Sequence, residues 1–234
     1  MNFLRSLLFN LLFLPFTALI CIFGQAMLLA PPERLHAYVR GWARVVLWLL
    51  RIVCGIKVRI TGREHLPPGA AIIAAKHQST FDTIIWLLLV DRPAYVLKQE
   101  LTRLPLWGRL ARHCGHIAVE RDGGAPALRG MVRDAQAMLA QGRKVVIFPE
   151  GTRTQPGEHV RYHPGVAAIA LASRAPVIPV ATDSGRYWAR LAFRKRPGTI
   201  TVAILPPLPA GLARAGLMAQ LESAIEGETG KLYR

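Results

Sequence analysis

The chain has 234 residues, 52% of them apolar and only 19% charged, yet Lys and Arg number 30 against 14 Asp and Glu, a net charge of +16. So much apolar sequence excludes a disordered basic tail, and 17 Pro and 20 Gly spread among the charges exclude an all-helical transporter. What remains is a greasy, strongly basic protein, a pairing that points to an anionic membrane surface or to nucleic acid.

In chain order, residues 6–32 carry no charge, with Arg5 before them and Glu33 after. That is long enough to cross a bilayer, with a kink expected at Pro15. A secretory signal peptide, with Arg5 as its n-region and Gly24-Gln25-Ala26 as its cleavage site, is the alternative. Against it, the apolar character runs on past that site. A second apolar stretch, Trp42 to Ile56, has Arg44 and Arg51 on one helical face. It is too charged and too short for a span, and predicts an interfacial helix with two tryptophans at headgroup level. Arg34, Arg40, Arg44 and Arg51 follow the first segment and put that side in the cytoplasm. The pair forms either a span plus a surface helix or a hairpin dipping into one leaflet. Residues 1–56 are thus expected to be a membrane anchor and residues 57–234 a second domain.

From Lys57 the texture changes. Strands are predicted at 57–60, 70–75, 94–97, 116–119, 144–148, 177–180 and 199–205, from alternation or from short apolar runs. Helices are predicted at 81–90, 104–114, 125–141, 166–173 and 215–227, the third with Leu128, Val132, Ala135 and Leu139 on one face and Gly142 after it. Strands alternating with helices predict an α/β fold, a mixed sheet flanked by helices and preceded by the hydrophobic helical anchor.

The chain has no dinucleotide-binding glycine loop, P-loop or nucleophile elbow. No cysteine pair has zinc spacing, and His113-x-x-His116 lacks further ligands, so no metal is expected. Cys21, Cys54 and Cys114 are odd in number and far apart, which indicates a reducing compartment and no disulfide scaffold.

The strongest candidate is Lys76-His77-Gln78-Ser79-Thr80-Phe81-Asp82, between a buried strand and an apolar helix. Strand ends of this kind are where α/β proteins place active sites. Ser79-x-x-Asp82 reads structurally as a helix-capping box. Chemically, Asp82 can fold back five residues onto the His77 imidazole, fix its tautomer and leave the other ring nitrogen to act as a general base. A second candidate, Phe148-Pro149-Glu150-Gly151-Thr152-Arg153, also follows a strand; Gly151 permits positive φ and Arg153 offers a fork of donors for phosphate. The bland alternative is a turn with an exposed ion pair. A third, Gly115 to Asp122, carries Arg121 out of a strand.

These segments, with Ala175-Pro176-Val177-Ile178-Pro179-Val180, resemble the four ordered blocks of the glycerophospholipid acyltransferase family, most of all its 1-acylglycerol-3-phosphate acyltransferases. The likeness covers roughly residues 57 to 205 and the anchor. It departs at Ala118 and Glu120, where the family often has an aromatic residue and Asp, and at His163, where Lys is frequent. The resemblance implies that His77 is the general base and that Asp82 orients it. The acceptor hydroxyl then attacks an acyl thioester directly, without an acyl-enzyme. It implies phosphate binding by Arg121 and Arg153, an acceptor site shaped by Glu150, Gly151 and Thr152, and a further positive charge from Lys98. Pro179 would belong to a structural or donor-lining segment. The expected acceptor is lysophosphatidate, giving phosphatidate. The alternatives within the family are glycerol 3-phosphate, another lysophospholipid or a lyso-aminolipid. The donor, acyl-CoA or acyl carrier protein, is a substrate, and no cofactor is expected. Expected partners are anionic membrane lipid and no nucleic acid. The expected location is the bacterial inner membrane, with the catalytic domain on the cytoplasmic side. The cluster Arg186, Arg190, Arg194, Lys195 and Arg196, among Tyr187, Trp188 and Phe193, is read as a membrane-docking surface.

Overall fold

The computed structural model describes residues 2–120 and 123–234. Its strands are β1 (Ile56–Thr61), β2 (Ala71–Ala75), β3 (Ala94–Lys98), β4 (Ile117–Val119), β5 (Lys144–Ile147), β6 (Val177–Thr182) and β7 (Gly198–Ile204). They form one seven-stranded sheet in the order β1-β7-β6-β2-β5-β3-β4. Every neighbouring pair is parallel except β6 with β7, so the sheet is mixed, as the sequence led us to expect. Its central strands β2, β5 and β6 are buried along their whole length, the pattern of a sheet covered on both faces. Pro179 sits inside β6, and its carbonyl accepts from Leu205 N–H at 3.0 Å.

Among the described residues the α-helices are α1 (Asn2–Phe23), α2 (Pro32–Cys54), α3 (Phe81–Leu89), α4 (Trp107–His113), α5 (Gly124–Ala140), α6 (Gly165–Ser173) and α7 (Arg214–Leu232). Because side chains alternate across a strand, the sheet feeds two cores. Ile73, Val146 and Ile178 pack with Phe9 of α1, Val46 and Leu50 of α2, and Phe81 and Trp86 of α3. Ile72, Val145 and Val177 pack on the other face with Ala135 of α5, Val166 and Ile169 of α6, and Leu221 and Ile225 of α7.

α1 runs from Asn2 to Phe23 with Pro15 inside it. The N-terminal region corrects the sequence reading in two places. α2 begins at Pro32, ten residues before the expected Trp42, with proline at its first turn, where the missing N–H costs nothing. It is also not merely interfacial. Leu35, Ala43, Val46, Leu50 and Cys54 are buried against the rest of the chain, while Arg44, Trp48 and Arg51 line its outer face. Of the two tryptophans only Trp48 faces out; the indole N–H of Trp42 donates to Thr17 Oγ1 of α1 at 3.1 Å. With Tyr38 donating to the Ile20 carbonyl at 3.1 Å, α1 and α2 pair as an antiparallel hairpin. One segment, Asn2–Leu29, is long and apolar enough to cross a membrane. At the other end α7 runs past Gly227, where it was expected to stop, to Leu232.

Candidate active site

β2 and β5 are parallel neighbours, with Ala74 opposite Ile147. The segments that follow them therefore leave the sheet at one level of its C-terminal edge. This brings Lys76 to Asp82 against Phe148 to Thr154, far apart in sequence. The His77 N–H donates to Glu150 Oε2 at 2.7 Å. The His77 carbonyl accepts from the Thr154 N–H at 2.8 Å and the Thr154 hydroxyl at 3.2 Å. The imidazole lies on the Phe148 ring, centroids 4.0 Å apart and planes within 20°. The peptide and the ring of His77 are thus both held by the second segment.

Asp82 stands in the first turn of α3. Its Oδ2 lies 3.3 Å from His77 Nδ1 and also accepts the N–H groups of Gln78 at 2.6 Å and Ser79 at 2.7 Å. Ser79 Oγ accepts from the Phe81 N–H at 3.1 Å. The capping and chemical readings of this segment coincide on one oxygen. A carboxylate is favoured at a helix start, and here the same atom faces the imidazole. A hydrogen on Nδ1 directed to Asp82 leaves Nε2 as the unprotonated nitrogen of the neutral ring.

Beneath His77 lies a buried charge network. The Lys76 ammonium pairs with Glu150 Oε1 at 3.0 Å and with Glu226 Oε1 at 2.6 Å. The Tyr162 hydroxyl donates to the same Glu226 oxygen at 2.6 Å, and the Thr154 hydroxyl, its single proton shared with the His77 carbonyl, lies 3.1 Å from Glu150 Oε1. Burial pulls the Lys76 pKa down, but the two carboxylates outweigh it and hold it above the usual lysine value. Burial pushes the Glu150 carboxyl up to about 7, against the opposing pull of Lys76. Both Glu150 oxygens are engaged by the protein, so its side chain braces the His77 turn from inside.

Gly151 adopts positive φ, 68°, as the turn requires. Thr152 is exposed at its tip and Arg153 is half-buried. Arg153 Nε has no hydrogen-bond partner among the described residues. Burial lowers the Arg153 pKa and neighbouring Arg190 adds to that, while the Asp82 charge opposes both. Arg190 donates to the Arg153 carbonyl at 3.2 Å. Lys98 ends β3, exposed, at the same edge of the sheet but two strands from β2. Arg121 lies outside the described residues. Among the described residues no group of three or more His, Cys, Asp or Glu side chains is placed to hold a metal ion.

Sequence reading missed Glu226, Tyr162 and Tyr233. The last accepts a hydrogen bond from the Gln78 amide. The one local signal was Lys76 itself, a charge ending a wholly buried strand, which must find an acid somewhere.

The acyltransferase family model matches residues 57–183. A 1-acyl-sn-glycerol-3-phosphate acyltransferase of Pseudomonas aeruginosa is 34% identical over 193 residues, 82% of this chain and 75% of its own. The human 1-acyl-sn-glycerol-3-phosphate acyltransferase alpha is 28% identical over 169 residues, 71% of this chain but only 60% of its own length. The 1-acyl-sn-glycerophosphate (LPA) acyltransferase of Thermotoga maritima superposes with a TM-score of 0.81 at 22% identity, covering 100% of this chain and 98% of that one.

Proposed function

We propose a function from one premise: the chain belongs to the acyltransferase family. It transfers an acyl group from an acyl thioester to the free hydroxyl of 1-acyl-sn-glycerol 3-phosphate, giving phosphatidate. The thioester is carried by coenzyme A or acyl carrier protein, both acidic and both suited to a basic surface. The names of its relatives support this acceptor.

The observation that carries the reading is the His77 imidazole, clamped between Phe148 and Asp82 with one nitrogen turned to the carboxylate. Nε2 takes the acceptor hydroxyl proton as the oxygen bonds to the thioester carbonyl carbon. Asp82 stabilises the imidazolium so formed. Collapse of the tetrahedral intermediate breaks the carbon–sulfur bond, and the thiolate takes the proton back from His77. No protein nucleophile takes part. Arg153 and Arg121 neutralise the acceptor phosphate, Gly151 and Thr152 shape its turn, Glu150 holds that turn from within, and Lys98 adds positive charge at the edge. The apolar α1 keeps the site beside a lipid acceptor. The arginines that follow it support a catalytic domain on the cytoplasmic side of a bacterial inner membrane.

The test is turnover of the purified chain on lysophosphatidate, glycerol 3-phosphate, other lysophospholipids and a lyso-aminolipid, with each thioester donor, the product being identified by mass. The highest kcat/KM is expected on lysophosphatidate, and His77→Ala is expected to lose about 10²–10⁴-fold in kcat. Equal turnover on an acceptor without phosphate would remove this assignment.

A further inference from the structure

We propose that the C-terminal helix belongs to the catalytic apparatus, with Glu226 and Tyr233 as positioning residues that hold His77 through its two flanking neighbours. The inference rests on the general-base reading of His77. Both residues lie beyond the stretch matched by the family model.

His77 is gripped on each side by a side chain that ends on α7 or on the residue just after it. On one side Lys76, with 1% of its side chain exposed, reaches Glu226 at 2.6 Å. On the other, the fully buried Gln78 donates to the Tyr233 hydroxyl and accepts from the Gly185 N–H at 3.2 Å. The far ends of these contacts are fixed in turn. Tyr162 shares the Glu226 oxygen. The Arg186 guanidinium lies 5.7 Å from the Tyr233 ring centroid and donates to the Leu232 carbonyl at 3.2 Å. Lys76 and Gln78 are themselves buried, so losing a partner leaves a charge or amide poorly met.

The need for such a brace is visible at the imidazole. Its contact to Asp82 is long, 3.3 Å, and Asp82 Oδ2 is shared with two shorter backbone bonds. Asp82 therefore sets the direction of the ring and Phe148 lies against its face. The position of the His77 backbone also enters the alignment, and catalysis is sensitive to displacements below an ångström. Charge-assisted hydrogen bonds such as Lys76–Glu226 are the kind that fix position. A helix that served packing alone would need Leu217, Leu221 and Ile225, not an acid and a phenol aimed at the neighbours of His77.

The test uses the full chain, purified in detergent, with Glu226→Gln and Tyr233→Phe. Glu226→Gln is expected to lower kcat by about 10- to 100-fold with KM for acceptor and donor little changed. Tyr233→Phe is expected to move kcat the same way by less, with a small drop in melting temperature that leaves the chain folded at the assay temperature, so the proposal survives should Glu226→Gln fold poorly. In a His77→Ala background either change should leave the residual rate where it is, because no imidazole remains to be positioned. Glu228→Gln, which disturbs only a surface pair with Lys231, serves as the unchanged control. Wild-type kcat in both variants overturns the proposal, as does a loss that only tracks the folded fraction. A further loss in the His77→Ala background also overturns it. Wild-type activity in His77→Ala alone would instead overturn the function reading and this inference with it.

Discussion

At the scale of single residues, Asp82 decides most. Its Oδ2 collects two backbone N–H groups and the His77 ring, while Oδ1 is buried without a hydrogen-bond partner among the described residues. Asp82→Asn separates these duties. An amide oxygen still accepts from the start of α3, so the stability lost is that of a charge at a helix N-terminus, about 0.3–1 kcal/mol. The amide offers no charge to a forming imidazolium, so kcat should fall far more, by about 10²–10⁴-fold. Thermal melts and steady-state rates on one preparation check this; a variant that unfolds readily but turns over normally would show Asp82 to be only a cap. His77, Asp82, Gly151 and Arg153 were legible in the sequence because their spacing follows one strand end and one turn. The inward direction of Glu150 was not, because its partners come from 73 and 74 residues away in the chain.

At the scale of elements, the strands and most helices were legible from period and apolar runs, and the misses have physical causes. The first turns of α2, Pro32 to Gly41, place four charged or imidazole side chains among apolar ones and so form no apolar run. The burial of Leu35 and His36 against distant segments makes them helix. Gly227 reads as a stop, yet α7 passes through it because the buried Ile225 and Thr229 bind both sides of it to the core. The junction of α2, β4 and β5 carries a prediction that no local pattern announced. His36 Nε2 meets the Cys114 carbonyl at 3.2 Å, and His116 Nδ1 accepts from the Tyr95 N–H at 3.4 Å, which requires that nitrogen to be unprotonated. Arg143 donates to the carbonyls of Cys114 at 2.8 Å and Arg92 at 2.9 Å, placing a guanidinium beside them. Burial first, then Arg143, pull His36 down to about 4; burial, then His36 and Arg143, pull His116 down to about 3. Arg92 adds to the effect on His36 and Asp91 opposes it. The native state thus refuses protons that the unfolded chain accepts below about pH 6.5. Stability from this pair is complete above pH 6.5 and is lost as pH falls toward 4 and then 3. Glu150 has the opposite sign: its raised pKa, about 7, makes its contribution fall as pH rises from about 4.5 to 7. Denaturant unfolding from pH 7.5 down to 5 should show His116→Gln flattening the acid loss and Glu150→Gln steepening it; equal slopes for wild type and His116→Gln would refute the assignment.

For the whole molecule, the net charge and the apolar excess separate in space. The sheet face toward α5, α6 and α7 is an ordinary core, while α1 exposes Leu4, Leu8, Leu11 and Leu14 along its length. Beside it lies the loop between β6 and β7, which is built onto α1. The Lys195 N–H donates to Ser6 Oγ at 2.8 Å, its ammonium reaches Asn10 at 2.5 Å, and Trp188 packs edge-on against Phe9 at 5.5 Å. The Phe193 ring lies 5.3 Å from Phe3, and Arg194 sits over Phe3. At the loop's tip Leu191 is 90% exposed and held at positive φ, 55°, flanked by the exposed Arg190, Arg194 and Arg196. A single exposed leucine is ordinary. One fixed at a strained φ, with exposed arginines in the same loop and an apolar helix beside it, is expected to enter a lipid surface while the arginines meet anionic headgroups. Burying that side chain is worth about 1.5–3 kcal/mol, enough to set how the domain tilts on the membrane but small beside the anchor. Partitioning of the whole chain is therefore a poor test, and local polarity a good one. With the three cysteines replaced by alanine, a polarity-sensitive dye is attached to a single cysteine at position 191, 11 or 133. In nanodiscs containing anionic lipid, emission should shift to the blue at 191 and at 11 on α1. It should stay water-like at 133, where Arg133 projects from α5 on the opposite side of the sheet. Replacing the anionic lipid with a neutral one should weaken the shift at 191 and leave that at 11, because only the loop relies on the arginines. A water-like signal at 191 alongside a shifted one at 11 would show that α1 alone meets the membrane.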